Sequence, residues 1–251
     1  MAVSAAASEA GQPPGERRGG GRRHDIGAPG LAWEFLRRNP EYHLTYAGWR
    51  QERREPTAPI DRRWGLRFAA DPRLGAEEAA VFWLPEVAPG VVLRLEAGEG
   101  GSAAAAKSLP TGQLMRAEDG LHLRTAWGLQ VLVRGGDPID RPLVVALTYD
   151  EHLRLRVRAV DALERLSAGR PPPKSHLTRA QFARLDRCLV ALDGTLAGQS
   201  YRTIAEKIFG RRALVGEPWK TAAIRGATIR LVQTGRALMN GGYLKLLRGG
   251  L

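Results

Sequence analysis

The 251-residue chain has a single cysteine, Cys188, so neither an intrachain disulfide framework nor a zinc site built on cysteines is open to it. No apolar run approaches the ~18 residues that a membrane span needs, and the N-terminus carries no apolar signal core. Histidines are scarce too: the five present are scattered, without metal-ligand spacing to Asp or Glu. The phosphate-loop pattern Gly-x-x-x-x-Gly-Lys-Ser/Thr is missing. His176-Leu-Thr-Arg179, with Tyr201 and Tyr243 downstream, fits the short His-x-x-Arg pattern of tyrosine recombinases, but it straddles a proline stretch and a helix start, where no catalytic pocket is preformed. These absences predict a non-enzyme with no metal and no cofactor, residing in a reducing cytoplasm without membrane contact.

Acidic residues are also missing from one place. The net charge is +12, yet residues 174–251 alone hold fourteen Lys and Arg against four Asp and Glu, a net +10. The preceding 173 residues are close to neutral. Arg-rich usage (only five of the 38 basic residues are Lys) fits a GC-rich genome, but that does not explain why acids thin out in the last third. Such asymmetry predicts a module facing a polyanion, attached to a neutral remainder.

The chain divides by composition. Residues 1–30, with Pro13-Pro14 and Gly19-Gly20-Gly21, read as a disordered tail whose Arg17-Arg18 and Arg22-Arg23 pairs are solvated. Residues 31–97 read as an N-terminal module. It holds two short helices, the second capped by Asn39 with Pro40 at its first position and striped by Tyr42, Tyr46 and Trp49. Strands are expected at 64–68 and 91–95. Residues 98–110 read as a linker. Residues 111–173 read as an antiparallel meander (121–127, 129–133, 143–147) followed by a helix from Asp150. That helix carries an apolar face of Leu153, Val157, Val160, Leu163 and Leu166, and Pro171-Pro172-Pro173 closes the unit as a spacer.

Residues 174–251 read as three helices. Thr178 caps the first, with Phe182, Leu185, Cys188, Leu189 and Leu192 on its inner face and Gly194 and Gly198 breaking it. Ser200 caps the second, Tyr201 to Phe209, and Gly210 closes it. The third runs from Trp219 to about Asn240, with Pro218 at its start and Gly241-Gly242 at its end. At ~100° per residue, Ile224, Thr228, Leu231, Gly235 and Leu238 share the core-facing sector. Thr221, Arg225, Val232 and Arg236 lie 60–120° away, and Arg230 lies roughly 140° from Arg225. Second helix, turn and third helix form a helix-turn-helix whose connection, Arg211 to Gly216, is longer than usual. The candidate DNA-contacting residues are Ser200, Tyr201, Arg202, Arg211, Arg212, Lys220, Thr221, Arg225 and Arg230. The early turns of the third helix are expected to reach base edges.

Residues 192–210 and 217–248 resemble a proteobacterial family of variant helix-turn-helix domains, formerly of unknown function. Residues 32–49, 62–72 and 82–87 resemble the transcriptional-regulator-like domain often fused to it. The family includes activators and antiactivators of conjugative-element transfer and an activator of type VI secretion. The elements read along the chain make an α+β protein, and the resemblance implies a DNA-binding transcriptional regulator. Its partners would be double-stranded DNA, RNA polymerase or a co-regulator, and further copies of itself, in the nucleoid region of the cytoplasm. Two modules favour an activator of mobile-element transfer. A protein-binding antiactivator or adaptor without DNA contact remains the alternative.

Overall fold

The computed structural model describes residues 27–98, 108–135, 142–173, 175–214, 218–219 and 223–250. It is an α+β protein in which a five-stranded sheet and a C-terminal helical bundle are joined by two N-terminal helices. The greater part of the expected tail, and residues 99–107 of the expected linker, lie outside the described residues. The last residues read as tail do not: helix α1 spans Gly27–Leu36. Leu31, Ala32, Trp33, Phe35 and Leu36 are all buried, and Glu34 is buried with them beside Arg37 and Arg38, so α1 sits inside the molecule rather than on it.

Helix α2, Pro40–Gln51, begins as the sequence predicts. The Asn39 side chain accepts from the backbone N–H groups of Glu41 and Tyr42, and Pro40 takes the first position. Tyr42 is fully buried and donates its hydroxyl to the Ala70 carbonyl at 2.6 Å, whereas Tyr46 and Trp49 are half-buried and stack at 6.2 Å. The strand expected at 64–68 does not form. Arg62–Trp64 is a 3-10 turn capped by Asp61, and Leu66 makes only an isolated bridge to Trp83. The alternation there is real, but it places Trp64, Leu66 and Phe68 into the core from a loop that has no neighbouring strand to pair with.

Strands β1 (Val92–Ala97), β2 (Gln113–Ala117), β3 (Gly120–Arg124), β4 (Gln130–Arg134) and β5 (Leu143–Ala146) form one sheet in the order β2-β3-β4-β1-β5. Only β2-β3-β4 is a meander. The strand expected to complete it, β5, pairs instead with β1, and β1 runs parallel to β4 with Val92 opposite Gln130. A strand from the expected N-terminal module thus sits between two strands of the expected meander. Its apolar run, Val91 to Leu95, suits a strand flanked on both edges and covered on its faces. Helix α3, Leu153–Ser167, covers one face, with Ala159, Val160, Leu163 and Leu166 packed against Leu93, Leu129 and Val145. Val157, expected on that inner face, is 52% exposed, because the contact is centred on Ala159, one residue pair further round the helix. The other face meets the loop after α2: Gln130 accepts from the Trp83 N–H and donates to the Val81 carbonyl.

Helices α4 (Arg179–Leu196), α5 (Tyr201–Phe209) and α6 (Ala223–Ala237) form the bundle. Thr178 and Gln181 make a reciprocal capping box on α4, and Phe182, Leu185, Cys188, Leu189 and Leu192 are buried as predicted. Gly194 does not break α4. It lies inside the helix where a Cβ would stand 2.7 Å from Ile204, so the missing side chain is what lets α5 close. The third helix ends by Gly241-Gly242, as expected: after α6 a wide turn, Leu238–Gly242, leaves helical geometry at Asn240 and Gly241, and the chain continues beyond it as a separate short helix, α7 (Tyr243–Leu247).

That continuation joins the two ends of the chain. α1 packs against α7 and the wide turn, and one core cluster runs from Leu31 and Trp33 through Trp64 and Trp83 to Leu189, Leu192, Tyr243 and Leu246. The Tyr243 hydroxyl donates to the Trp64 carbonyl at 3.0 Å, and Asn39 donates to the Met239 carbonyl at 3.1 Å. Arg38, at the end of α1, lies between Glu34 and Asp193 of α4.

Candidate nucleic-acid interface

The bundle orders its exposed surface through its core. Ile204 of α5 and Val232 of α6 meet Ala191 of α4, with Ile208 and Leu231 alongside. Val232 is buried, although the wheel set it aside with Arg225; the inner sector is wider than drawn and centres on Thr228. Thr228 is wholly buried and donates its hydroxyl to the Ile224 carbonyl at 2.8 Å, leaving no unpaired polar atom in the sector. Ile224 and Leu231 are half-buried rather than sealed. Gly235 brings α6 against α4 so closely that a Cβ would meet the Cys188 carbonyl oxygen at 2.8 Å.

With these residues inside, the cations are left outside. Arg202 and Lys207 on α5, Arg211 and Arg212 on the following turn, and Arg225, Arg230 and Arg236 on α6 are all exposed. Glu206 is the acid among them, at 3.7 Å from Arg202 and 4.0 Å from Arg211. Among the described residues no ion pair engages Arg212, Arg225 or Arg230. Long-stemmed cations without acidic partners suit phosphate oxygens, which need charge and reach rather than a fixed pocket.

The predicted site residues take distinct places. Ser200 caps α5: its hydroxyl accepts from the Thr203 N–H at 3.2 Å and pairs with the Thr203 hydroxyl at 2.8 Å, so its polar capacity is largely used within the fold. Tyr201 is 44% exposed at the first position of α5, beside Arg202. Arg211 and Arg212 lie on a 3-10 turn, Arg211–Leu214, which shortens the expected loop. Lys220 and Thr221 lie outside the described residues, as do residues 215–217. Arg225 and Arg230 are both exposed and on different flanks, as the wheel predicts.

Arg230 has company that sequence reasoning missed. With Arg184 and Arg187 of α4 it surrounds a groove of about 270 Å³ floored by Phe209, Ala227 and Leu231. The spacing was available: Arg184 and Arg187 are three apart, on the face of α4 opposite Phe182, Leu185 and Leu189. Lys207 was likewise legible as the outward residue between Ile204 and Ile208.

The single cysteine is sealed between the helices, and burial pushes its thiol up to about 11, an inert packing group. Among the described residues no group of His, Cys, Asp and Glu could hold a metal ion, and no helix is long and apolar enough to cross a membrane.

Comparison with known families places two domains on this framework. Residues 146–248 match the model described as T6SS, Transcription factor, DNA binding domain. Residues 19–69 match the model described as Proteobacterial transcriptional regulator-like domain. No curated protein matches the chain. The first match takes in α3 and the proline segment as well as α4 to α7. Together the two matches point to a DNA-binding transcriptional regulator.

Proposed function

We propose that the chain activates transcription, of genes for mobile-element transfer or a related system, by binding promoter DNA through α5, the 3-10 turn and α6. One observation carries the DNA reading: exposed Arg202, Lys207, Arg211, Arg212, Arg225 and Arg230 collect on these elements with a single described acid, Glu206, in their midst. The activator reading is supported by the presence of a regulator-like domain fused to the DNA-binding one. The rest of the molecule is assigned to contact RNA polymerase, a co-regulator or a second copy. The edge strand β5 and the residues just after it offer exposed Val144, Leu147 and Tyr149 for such contact.

Arg225 is assigned to base reading and Arg211 and Arg212 to phosphates. Arg225 lies in the first turn of the described part of α6, and arginine to guanine is the commonest specific contact. Paired titrations on a cognate and a scrambled duplex at fixed salt separate the roles. Arg225→Ala is expected to lose about 1–3 kcal/mol on the cognate duplex only. Arg211→Ala and Arg212→Ala are expected to weaken both duplexes alike. If about six phosphates are neutralised, log K falls with log salt at a slope near −5. An antiactivator that acts on another protein would instead show no salt-dependent DNA binding, and Arg225→Ala would weaken capture of the partner regulator.

A further inference from the structure

The groove of about 270 Å³ between α4 and α6 is lined by three arginines, Arg184 and Arg187 of α4 and Arg230 of α6. Phe209, Ala227 and Leu231 form its floor and are half-buried, and Thr234 adds a hydroxyl at its edge. All three arginines are exposed, and among the described residues no ion pair engages them. Of the two acids on α4, Asp193 is tied to Arg38, and Asp186 does not line the groove. Like charges gathered around one space repel each other, and a bound anion relieves that repulsion. Arg184 and Arg187 are three apart on one helix face, which sets their Cβ atoms about 5–6 Å from each other. Both guanidinium groups can therefore reach one phosphate or two successive ones. The groove also continues the basic surface of α5. Phe209 is the last residue of that helix, and the 3-10 turn with exposed Arg211 and Arg212 begins just beyond Gly210.

We propose that this groove is a second phosphate site for the DNA backbone, in which Arg184 and Arg187 of α4, together with Arg230, bind phosphate oxygens beside the stretch met by α5 and the 3-10 turn. The inference rests on the DNA-binding reading above and adds to it a helix outside the helix-turn-helix. An acidic protein segment suits the groove less well. Such a segment needs apolar surface for its anchoring side chains, and the floor offers only half-buried ones. Phosphates need charge and reach, which the three arginines supply. Contact at α4 widens the footprint without adding sequence information. It also brings DNA to the helix that Arg38, at the end of α1, grips through Asp193.

The test uses the full chain and a labelled random-sequence duplex, since a phosphate contact is indifferent to sequence, with affinity followed by fluorescence anisotropy across a salt series. The double variant Arg184→Gln/Arg187→Gln is expected to weaken binding about tenfold or more at ~100 mM salt. It is also expected to flatten the slope of log K against log salt by about 2, the effect of two lost phosphate contacts. Arg184→Lys/Arg187→Lys keeps the charges and is expected to keep the wild-type slope. Arg53→Gln/Arg54→Gln, which removes the same charge from exposed residues after α2, is expected to leave the slope unchanged. A wild-type slope in the Arg184→Gln/Arg187→Gln variant would overturn the inference and leave the DNA-binding reading standing. So would an equal flattening by the Arg53→Gln/Arg54→Gln pair, because net charge alone would then account for it. A wild-type slope joined to lost binding of poly-L-glutamate would give the groove to an acidic protein instead. Failure of the wild-type chain to bind the duplex with any salt dependence would overturn the DNA-binding reading itself, and this inference with it.

Discussion

Asn39 does two jobs with one side chain. Its Oδ1 caps α2, and its Nδ2 donates to the Met239 carbonyl in the wide turn after α6, 200 residues away. Capping alone is indifferent to Asn against Asp, since both present an acceptor. The second bond is not, because a carboxylate has no donor and would face a carbonyl oxygen. Asn39→Asp is therefore expected to destabilise by about 1–3 kcal/mol, close to Asn39→Ala, where a simple cap would lose almost nothing on the Asp change. Denaturant unfolding of both variants decides it: an Asp variant as stable as wild type would show that the Met239 contact contributes nothing. The cap itself was legible from Asn39-Pro40, as were those of Thr178 and Ser200, since caps are local chemistry. The Met239 bond was not, because no rule of spacing links positions 39 and 239.

At the level of elements, helices were read better than strands for the same reason. The periodicity of α4 and α5 reports a face, and a face suffices to place a helix. β5 could be recognised as a strand, but its partner could not, because the residues that pair with it come from β1, before the expected linker. Glycines were ambiguous in a different way. Gly194 read as a break and Gly235 as a core-facing position, and the structure assigns both to contact, one under Ile204 and one under the Cys188 carbonyl. This gives a test in which propensity and packing oppose each other. Alanine favours an isolated helix over glycine by about 0.8–1.0 kcal/mol. At position 235 the added methyl must push α6 from α4, so Gly235→Ala is expected to destabilise by about 1–3 kcal/mol. Stabilisation on chemical unfolding would mean the helices are further apart than described. Because α6 carries Arg225 and Arg230, the same change is expected to weaken DNA binding on cognate and scrambled duplexes together.

On the scale of the whole molecule, the charge boundary at residue 174 was legible and the structural unity across it was not. Composition shows where cations gather, but not that α1 packs on α7 or that Trp83 lies 6.1 Å from Tyr243. A fragment ending at Pro173 would leave Trp33, Trp83 and Leu36 without their covering helices, so single substitutions, not truncation, are the fair test of where DNA binds. The shared core also sets how the molecule answers acid. His122 is 4% exposed, ringed by Phe68 and Phe82, and bonded to Asp119 at 3.0 Å, while Arg67 clamps Asp119 through two nitrogens. Burial, together with the Arg67 charge, lowers the His122 pKa more than the Asp119 carboxylate raises it. Burial works to raise the Asp119 pKa, but the bonds from Arg67 and His122 outweigh it and hold the carboxyl well below its ordinary range. The signs then agree. As pH falls below about 6.5, the unfolded chain takes up a proton at position 122 before the folded one does, which costs stability. Asp119 adds stability above its ordinary pKa of about 3.9 and loses it as pH falls from there toward the lowered folded value. Tm is thus expected to decline from pH 7 to 5 and again more steeply below pH 4. His122→Gln, whose amide can still donate to Asp119, is expected to flatten the first decline and spare the second. A variant with an unchanged slope between pH 7 and 5 would remove His122 as its source and leave His176, the other histidine among the described residues whose pKa burial lowers, to account for it.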